Sequence, residues 1–431
     1  MNLEDFFQIV SNDLDCNTSY PLKSSFFQKY KTNDDIMKNT SELSLYYHIP
    51  FCKHLCSFCE YTRFICDDIS QQKYYVDKLI SQSDFFLQNH NIKLLHGLDI
   101  GGGTPTALDI SQLNRLLDYT LSISKKYRTA ERFEPSIEFS FSAIDEQKIK
   151  CIAAHDIPRM STGIQIYDKT LLEQMNRTDH RLDSISKYVR IIKDCGIKKL
   201  NIDLMYGFTG QTDTVLKNTI YAIKILMPEQ VTLYEMRYNR SNLEHNKINR
   251  ETMYEQYEFL YSGLKELGYK GRFGQNTFSL SDDEGVSSYL YSRMIYGVPY
   301  KGFGISAQSM SREGISYNIL KNSQSKYLPQ FDDIFEEDIY ILPKDELSAK
   351  YVCISLYSGR FRIDVLNDIL CCNAMNFYKK EFDFIINNGY AEIKDDFCQL
   401  THSGFKQYGA IAALFWSAYH KEQYLADKKR S

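Results

Sequence analysis

Six strand-then-helix units in succession constrain this chain more than any other feature. Short apolar runs over residues 45–50, 98–100, 136–141, 159–166, 199–206 and 230–236 read as strands. Between them, residues 71–88, 111–126, 146–154, 182–195 and 213–227 carry helical spacing. Gly, Pro and polar turns mark the boundaries. Such alternation predicts a parallel sheet with helices outside it, because parallel neighbours need a crossover connection. Six units fall short of eight. The expectation is therefore an α/β fold, a partial (β/α)6 TIM-type barrel open on one side. An open doubly wound sheet satisfies the same periodicity. In a barrel the chemistry belongs at the C-terminal ends of the strands.

Outside these units the pattern changes. Residues 1–43 are polar and irregular, with an aromatic patch at 25–30. They read as an N-terminal arm packed over the mouth of a site. The barrel is expected over 44–240, and a barrel extension and substrate region over 241–345. A C-terminal domain over 346–431 reads as helix, helix, short hairpin (390–393 and 398–400) and helix, a mainly helical, winged-helix-like cap. The last ten residues are polar and expected to fray.

Composition narrows the function classes. A net charge of −4 predicts no nucleic-acid partner. The acidic N-terminus lacks the apolar core of a secretory signal, and no run is long enough to span a membrane. The 11 Cys are an odd number, scattered except for one cluster, unlike a secreted disulfide framework. The expectation is a cytoplasmic protein with no membrane association.

The one cluster is Cys52, Cys56 and Cys59, spaced C-x3-C-x2-C. Thiolates are soft ligands suited to iron–sulfur clusters. Three Cys so close can hold a [4Fe–4S] cube and leave one iron open for a chelating ligand. A zinc site completed by His54 or Cys66 is the alternative, although zinc ligands usually come in pairs of Cys. A second motif, Gly101-Gly102-Gly103-Thr104-Pro105, follows a strand. Without side chains there, a ligand can approach the backbone. A tight strand-to-helix turn explains the glycines equally well. No Walker lysine follows, so a nucleotide-phosphate loop is not expected. Cys66 reads as a plain thiol, and Cys371-Cys372 as buried packing on a cap helix.

Together these motifs resemble the radical S-adenosylmethionine enzymes, and more narrowly the oxygen-independent coproporphyrinogen III oxidase-like family. The resemblance rests on Tyr46-Tyr47-His48-Ile49-Pro50-Phe51-Cys52, the Gly101–Pro105 run, Ile137-Glu138, the 159–165 stretch R-M-S-T-G-I-Q, Asn176-Arg177, the 203–212 stretch from Asp203 to Thr212, and the Gly-rich 302–309. It spans about residues 44–310 and extends to the cap. The resemblance implies a [4Fe–4S] cluster on Cys52, Cys56 and Cys59, and S-adenosylmethionine chelating the open iron. Gly102 would approach that ligand, Glu138 would accept from its ammonium, and Arg177 would pair with its carboxylate. Gln165 and Asp203 would bind its carboxylate end and ribose, and Tyr46 would pack nearby. A second S-adenosylmethionine would touch Phe58, Gly103 and Thr104. From the residues alone, a sulfonium amino acid needs an acid, a base and ribose acceptors, which Glu138, Arg177 and Asp203 supply. His48 is left between a structural role and a proton relay.

Two departures bear on the reaction. Tyr61 stands where the decarboxylating members carry a further Cys. The 276–279 and 287–290 stretches lack the H-N-x-x-Y-W element of the haem-chaperone-like relatives. By elimination, the expectation is methyl or methylene transfer to a carbon of an organic substrate, using a second S-adenosylmethionine. Tetrapyrrole chemistry is the alternative: anaerobic haem ring opening, or oxidative decarboxylation of coproporphyrinogen III. A haem-binding or trafficking protein that keeps the cluster is the alternative of another class. The expected partners are a small-molecule substrate (a natural-product intermediate or a tetrapyrrole) and a low-potential electron donor such as flavodoxin or ferredoxin.

Overall fold

The computed structural model describes residues 2–13, 19–177, 181–238, 247–319 and 336–429. Its centre is six parallel strands: β1 Glu42–Ile49, β2 Leu94–Gly102, β3 Pro135–Phe139, β4 Arg159–Gln165, β5 Lys199–Tyr206 and β6 Gln230–Glu235. Each pairs with the next in sequence order. Their burial is nearly continuous (in β1 only Glu42 is exposed and Tyr46 half-buried), as expected of strands covered on both faces. Helices α1 Ile69–Asn89, α2 Ile110–Lys126, α3 Glu146–Ala154, α4 Leu182–Asp194 and α5 Asp213–Leu226 make the crossovers. Three start on aspartate caps, Asp68, Asp109 and Asp145, whose side chains accept from backbone amides of the first turn.

The sheet continues past both edges of this core. Strand β7 (Thr277–Ser279) adds antiparallel to β6. Strand β8 (Tyr300–Phe303) adds parallel to β1 and leads into an antiparallel meander, Gln308–Met310, Gly314–Asn318 and Glu337–Ile341. The strand order forms an open path whose ends do not pair, so the barrel is partial. Tyr300–Phe303, at the start of the Gly-rich stretch, thus supplies a seventh parallel strand beyond the six expected. Gly302 is required there by crowding: a Cβ would come 2.4 Å from the Gln308 carbonyl oxygen.

The arm differs from expectation. Its first part is a helix, Leu3–Ser11, capped by Asn2. Phe6 packs edge-on against Trp416 and Tyr424, and Phe7 against Phe384 and Tyr390. Apolar residues on one face draw this helix onto the C-terminal helices, while Ser19 of the arm accepts from Arg237 just beyond β6 at 3.2 Å. The same contacts order the chain end. Ala418–Lys428 is helical where fraying was expected, because Tyr424 is buried under Phe6 and Trp416; residues 430–431 lie outside the described residues. The cap holds helices Lys344–Ser355 and Ile363–Leu370, the hairpin Ala391–Lys394 with Phe397–Leu400, and a third strand Arg360–Arg362. Cys371 and Cys372 are exposed, not buried as expected, because the helix ends at Leu370 and Cys371 turns to φ 55°.

Candidate functional site

The three motif cysteines line one cavity at the C-terminal ends of the strands. Phe51–Cys52 pairs with Phe64–Ile65, closing the loop between them into a loop with a fixed base. The Arg63 guanidinium fills that loop. It donates to the carbonyls of Cys56 (2.5 Å), Cys59 (2.6 Å) and Tyr61 (3.0 Å). The segment after β4 clamps the outside: Ser57 N–H donates to Met175 O at 3.0 Å, and Asn176 Nδ2 to Leu55 O at 2.9 Å. Asn176 adopts φ 54°, a left-handed conformation that Asn tolerates. Thr104 Oγ1 reaches Cys52 Sγ at 3.6 Å, and Arg177 reaches Cys56 Sγ at 3.6 Å. Gly103 must lack a side chain, since a Cβ would stand 2.9 Å from Cys52 Sγ and 2.8 Å from Phe51 O.

These residues fit an iron–sulfur cluster. Three soft donors face one cavity and form no disulfide. Burial pushes the Cys52 thiol up to about 12 and raises Cys59 as well, so the thiols need a metal to hold them as thiolates. Among the described residues no group of three His, Cys, Asp or Glu could hold a single metal ion. Of the two residues that could complete a zinc site, His54 lines the cavity and Cys66 does not. Cys66 turns away, donating to Asp68 O and Gln71 Oε1 at the start of α1.

The charged groups share this cavity with the thiols. Glu138, Gln165, Arg177, Asp203, Phe58, Gly103 and Thr104 all line the cavity. Glu138 accepts from Gly102 N–H at 3.0 Å. Enclosure by protein, with Asp203 and Asp99 nearby, pushes its carboxyl up to about 8, although the residue keeps solvent-accessible surface. Asp203 accepts from Asn201 Nδ2 at 2.7 Å and is pushed up to about 6, mainly by burial. Arg177 donates to Gly163 O. Gln165 sits at φ 65° with its amide folded over Gly163, where a Cβ would collide with it at 1.9 Å.

Two expected residues stand behind the cavity wall. Tyr46 stacks on Tyr289 (5.6 Å between rings). Gly102, at φ 117°, lies against the His48 ring, where a Cβ would come within 2.7 Å. His48 itself is buried, its Nε2 3.2 Å from Thr62 O and its Nδ1 3.3 Å from the Tyr46 hydroxyl. Burial lowers it to about 4, which favours the neutral imidazole.

Several cavity residues escaped the sequence reading: Ser140, Ser142, Ser161, Thr162, Lys53 and Arg63. Ser161 and Thr162 sit inside a quoted motif, so strand register could have found them; nothing local marks Arg63. A second, smaller cavity continues into the barrel and shares Glu138, Ser161 and Asp203 with the first. It is floored by Arg159, which donates to Gln230 Oε1 and Ser136 Oγ.

Comparison with known proteins places these observations. Residues 46–220 match the family model of the Radical SAM superfamily. The chain is 26% identical over 282 residues to the heme chaperone HemW of Lactococcus lactis, covering 61% of this chain and 72% of that protein. It is 28% identical over 248 residues to an anaerobic coproporphyrinogen III oxidase of Cereibacter sphaeroides, covering 56% and 54%. The solved structure of coproporphyrinogen III oxidase (HemN) from Escherichia coli aligns over 87% of this chain and 90% of its own, at 20% identity and TM-score 0.69. That match shows a shared fold.

Proposed function

We propose that this chain, whose residues 46–220 match the Radical SAM superfamily model and whose relatives include coproporphyrinogen III oxidases, is a radical S-adenosylmethionine protein of the oxygen-independent coproporphyrinogen III oxidase-like branch and performs radical chemistry on a tetrapyrrole. The family uses a [4Fe–4S] cluster and S-adenosylmethionine, and when bound these supply a 5′-deoxyadenosyl radical that abstracts hydrogen. Cys52, Cys56 and Cys59 would hold the cluster. Glu138 would accept from the ammonium of S-adenosylmethionine, Arg177 would pair with its carboxylate, and Gln165 and Asp203 would bind its carboxylate end and ribose. The observation that carries the reading is convergence: three thiols, an acid, a base and a second acid meet on one cavity from four different strand ends. Relatives named for coproporphyrinogen and heme favour the tetrapyrrole.

The chain's own contribution is selective enclosure. Arg63 holds the cysteine loop by its carbonyls, so the thiols are presented without rearrangement. Glu138, raised to about 8 in the empty cavity, ionises when a cation is seated beside it.

A second reading, methyl or methylene transfer, is motivated by Tyr61 in place of a further Cys and by Phe58, Gly103 and Thr104, which line the same cavity as the thiols. Incubation of reconstituted protein with S-adenosylmethionine and dithionite tests the proposal. The expected product is 5′-deoxyadenosine, with its yield raised by a tetrapyrrole. No product above a Cys56→Ala control would leave a heme-binding protein. Label from methyl-deuterated S-adenosylmethionine in 5′-deoxyadenosine would favour the second reading.

A further inference from the structure

Phe58, Tyr61 and Phe139 bring their rings to the wall of the thiol cavity. Two of them are anchored in the protein. Phe58 packs against the core, and Phe139 meets Phe141 edge-on at 5.2 Å between ring centres. Tyr61 is different. It is 62% exposed and takes no part in the core. Among the described residues its side chain has no hydrogen bond, no ring partner and no cation over its face. A lone aromatic on an outer surface is ordinary. On the wall of a cavity beside three thiols, the same ring offers an unused π-face to whatever enters.

The backbone under that ring is fixed. The Arg63 guanidinium holds the Cys59 and Tyr61 carbonyls at 2.6 and 3.0 Å. Glu60 stands 3.6 Å from the Arg237 guanidinium. Thr62 Oγ1 lies 2.7 Å from Ser306 Oγ, and its carbonyl 3.2 Å from His48 Nε2. Phe64 N–H donates to Pro50 O at 2.7 Å. Residues on both sides are therefore tied down, and the ring between them is not. Tyrosine has few torsions to freeze, so a ring on a rigid stem meets a flat ligand at low entropic cost. Its face is matched by another flat, conjugated ring system. A porphyrin is such a system. A porphyrinogen is not, because its bridging carbons are tetrahedral and its macrocycle buckles.

We infer that Tyr61 is a specificity residue that stacks on the macrocycle of the substrate, and that the substrate is the planar, conjugated form rather than the reduced porphyrinogen. The inference rests on the tetrapyrrole reading and deepens it by the oxidation state of the ring. Tyr61 acts on the substrate and leaves the cluster to the cysteines.

The test titrates anaerobic, cluster-loaded protein with coproporphyrin III, read by porphyrin fluorescence and the Soret band, and uses coproporphyrinogen III as competitor. The wild type is expected to bind the porphyrin at least about fivefold more tightly than the porphyrinogen, with a red-shifted Soret band. Tyr61→Phe keeps the face and is expected to stay within about twofold of wild type. Tyr61→Leu keeps apolar bulk without a π-face, and Tyr61→Ala removes both. Each is expected to lose roughly tenfold of porphyrin affinity, with porphyrinogen affinity and iron content unchanged. Wild-type porphyrin affinity in Tyr61→Leu overturns stacking, and porphyrinogen binding as tight as porphyrin binding overturns the planar substrate. If porphyrin binds and no variant weakens it, the platform falls and the tetrapyrrole reading stands. If neither macrocycle binds the wild type, both fall together.

Discussion

The two sides of the cavity are built differently. The cluster side comes from consecutive strand ends and one short loop, residues 48–64, held by backbone carbonyls on Arg63. The inner side, where the smaller cavity continues, is lined from β2 to β7 and the helix Ser288–Ile295, separated by long stretches of chain. The first side carries soft donors and acids; the second carries Arg159, Tyr234 and Tyr357. A shared chemistry is fixed by local motif, whereas the space behind it is set by long-range packing that can change without disturbing it.

Substitutions at the two sides should therefore separate. Cys52→Ala, Cys56→Ala or Cys59→Ala is expected to remove the cluster and abolish 5′-deoxyadenosine formation, read by iron analysis and product assay. A variant that kept full iron and turnover would break the cluster side. Gly97→Ala drives a Cβ into the Tyr289 backbone, and the expectation is a loss of about 2–3 kcal/mol in denaturant unfolding. The partner there is main chain, which cannot step aside as a side chain does.

Glu138→Gln sharpens the contrast through pH. The Glu138 carboxyl rises from 4.5 to about 8 in the empty protein. The folded state therefore binds a proton more tightly than the unfolded state, and stability is lost as pH rises from about 4.5 through about 8. Cofactor-free wild type should fall in melting temperature across that window relative to Glu138→Gln, by about 2 °C or more. Parallel curves would mean that the cavity water fully solvates the carboxylate. Arg63→Met removes three carbonyl contacts and should speed iron loss to a chelator about tenfold. At the small end, Lys53→Ala breaks an exposed pair with Asp67 (2.8 Å; side chains 42% and 72% exposed) and should change stability by under about 0.5 kcal/mol.

How much was legible follows the same division. Strand periodicity gave all six barrel strands because each is an apolar run bounded by turns, as at 199–206. The cysteine loop and Glu138, Arg177 and Asp203 were readable because motif and strand end coincide. Tyr300–Phe303 was missed because four residues containing a Gly carry too little pattern, and its pairing with β1 is remote in sequence. Arg63 has no local signature, since its partners are carbonyls that any residue offers. The arm helix was missed because its apolar face, Phe6, Phe7 and Val10, is short and acquires meaning only against Trp416 and the cap.

The most direct test of the central claim is the electron paramagnetic resonance spectrum of the reduced, reconstituted protein before and after S-adenosylmethionine is added. A three-thiolate cluster with one open iron beside Glu138 and Arg177 predicts about four irons per chain and a spectrum that changes on addition in wild type and much less in Glu138→Gln. A spectrum indifferent to S-adenosylmethionine, or a preparation that takes up zinc in place of the cluster, would contradict it.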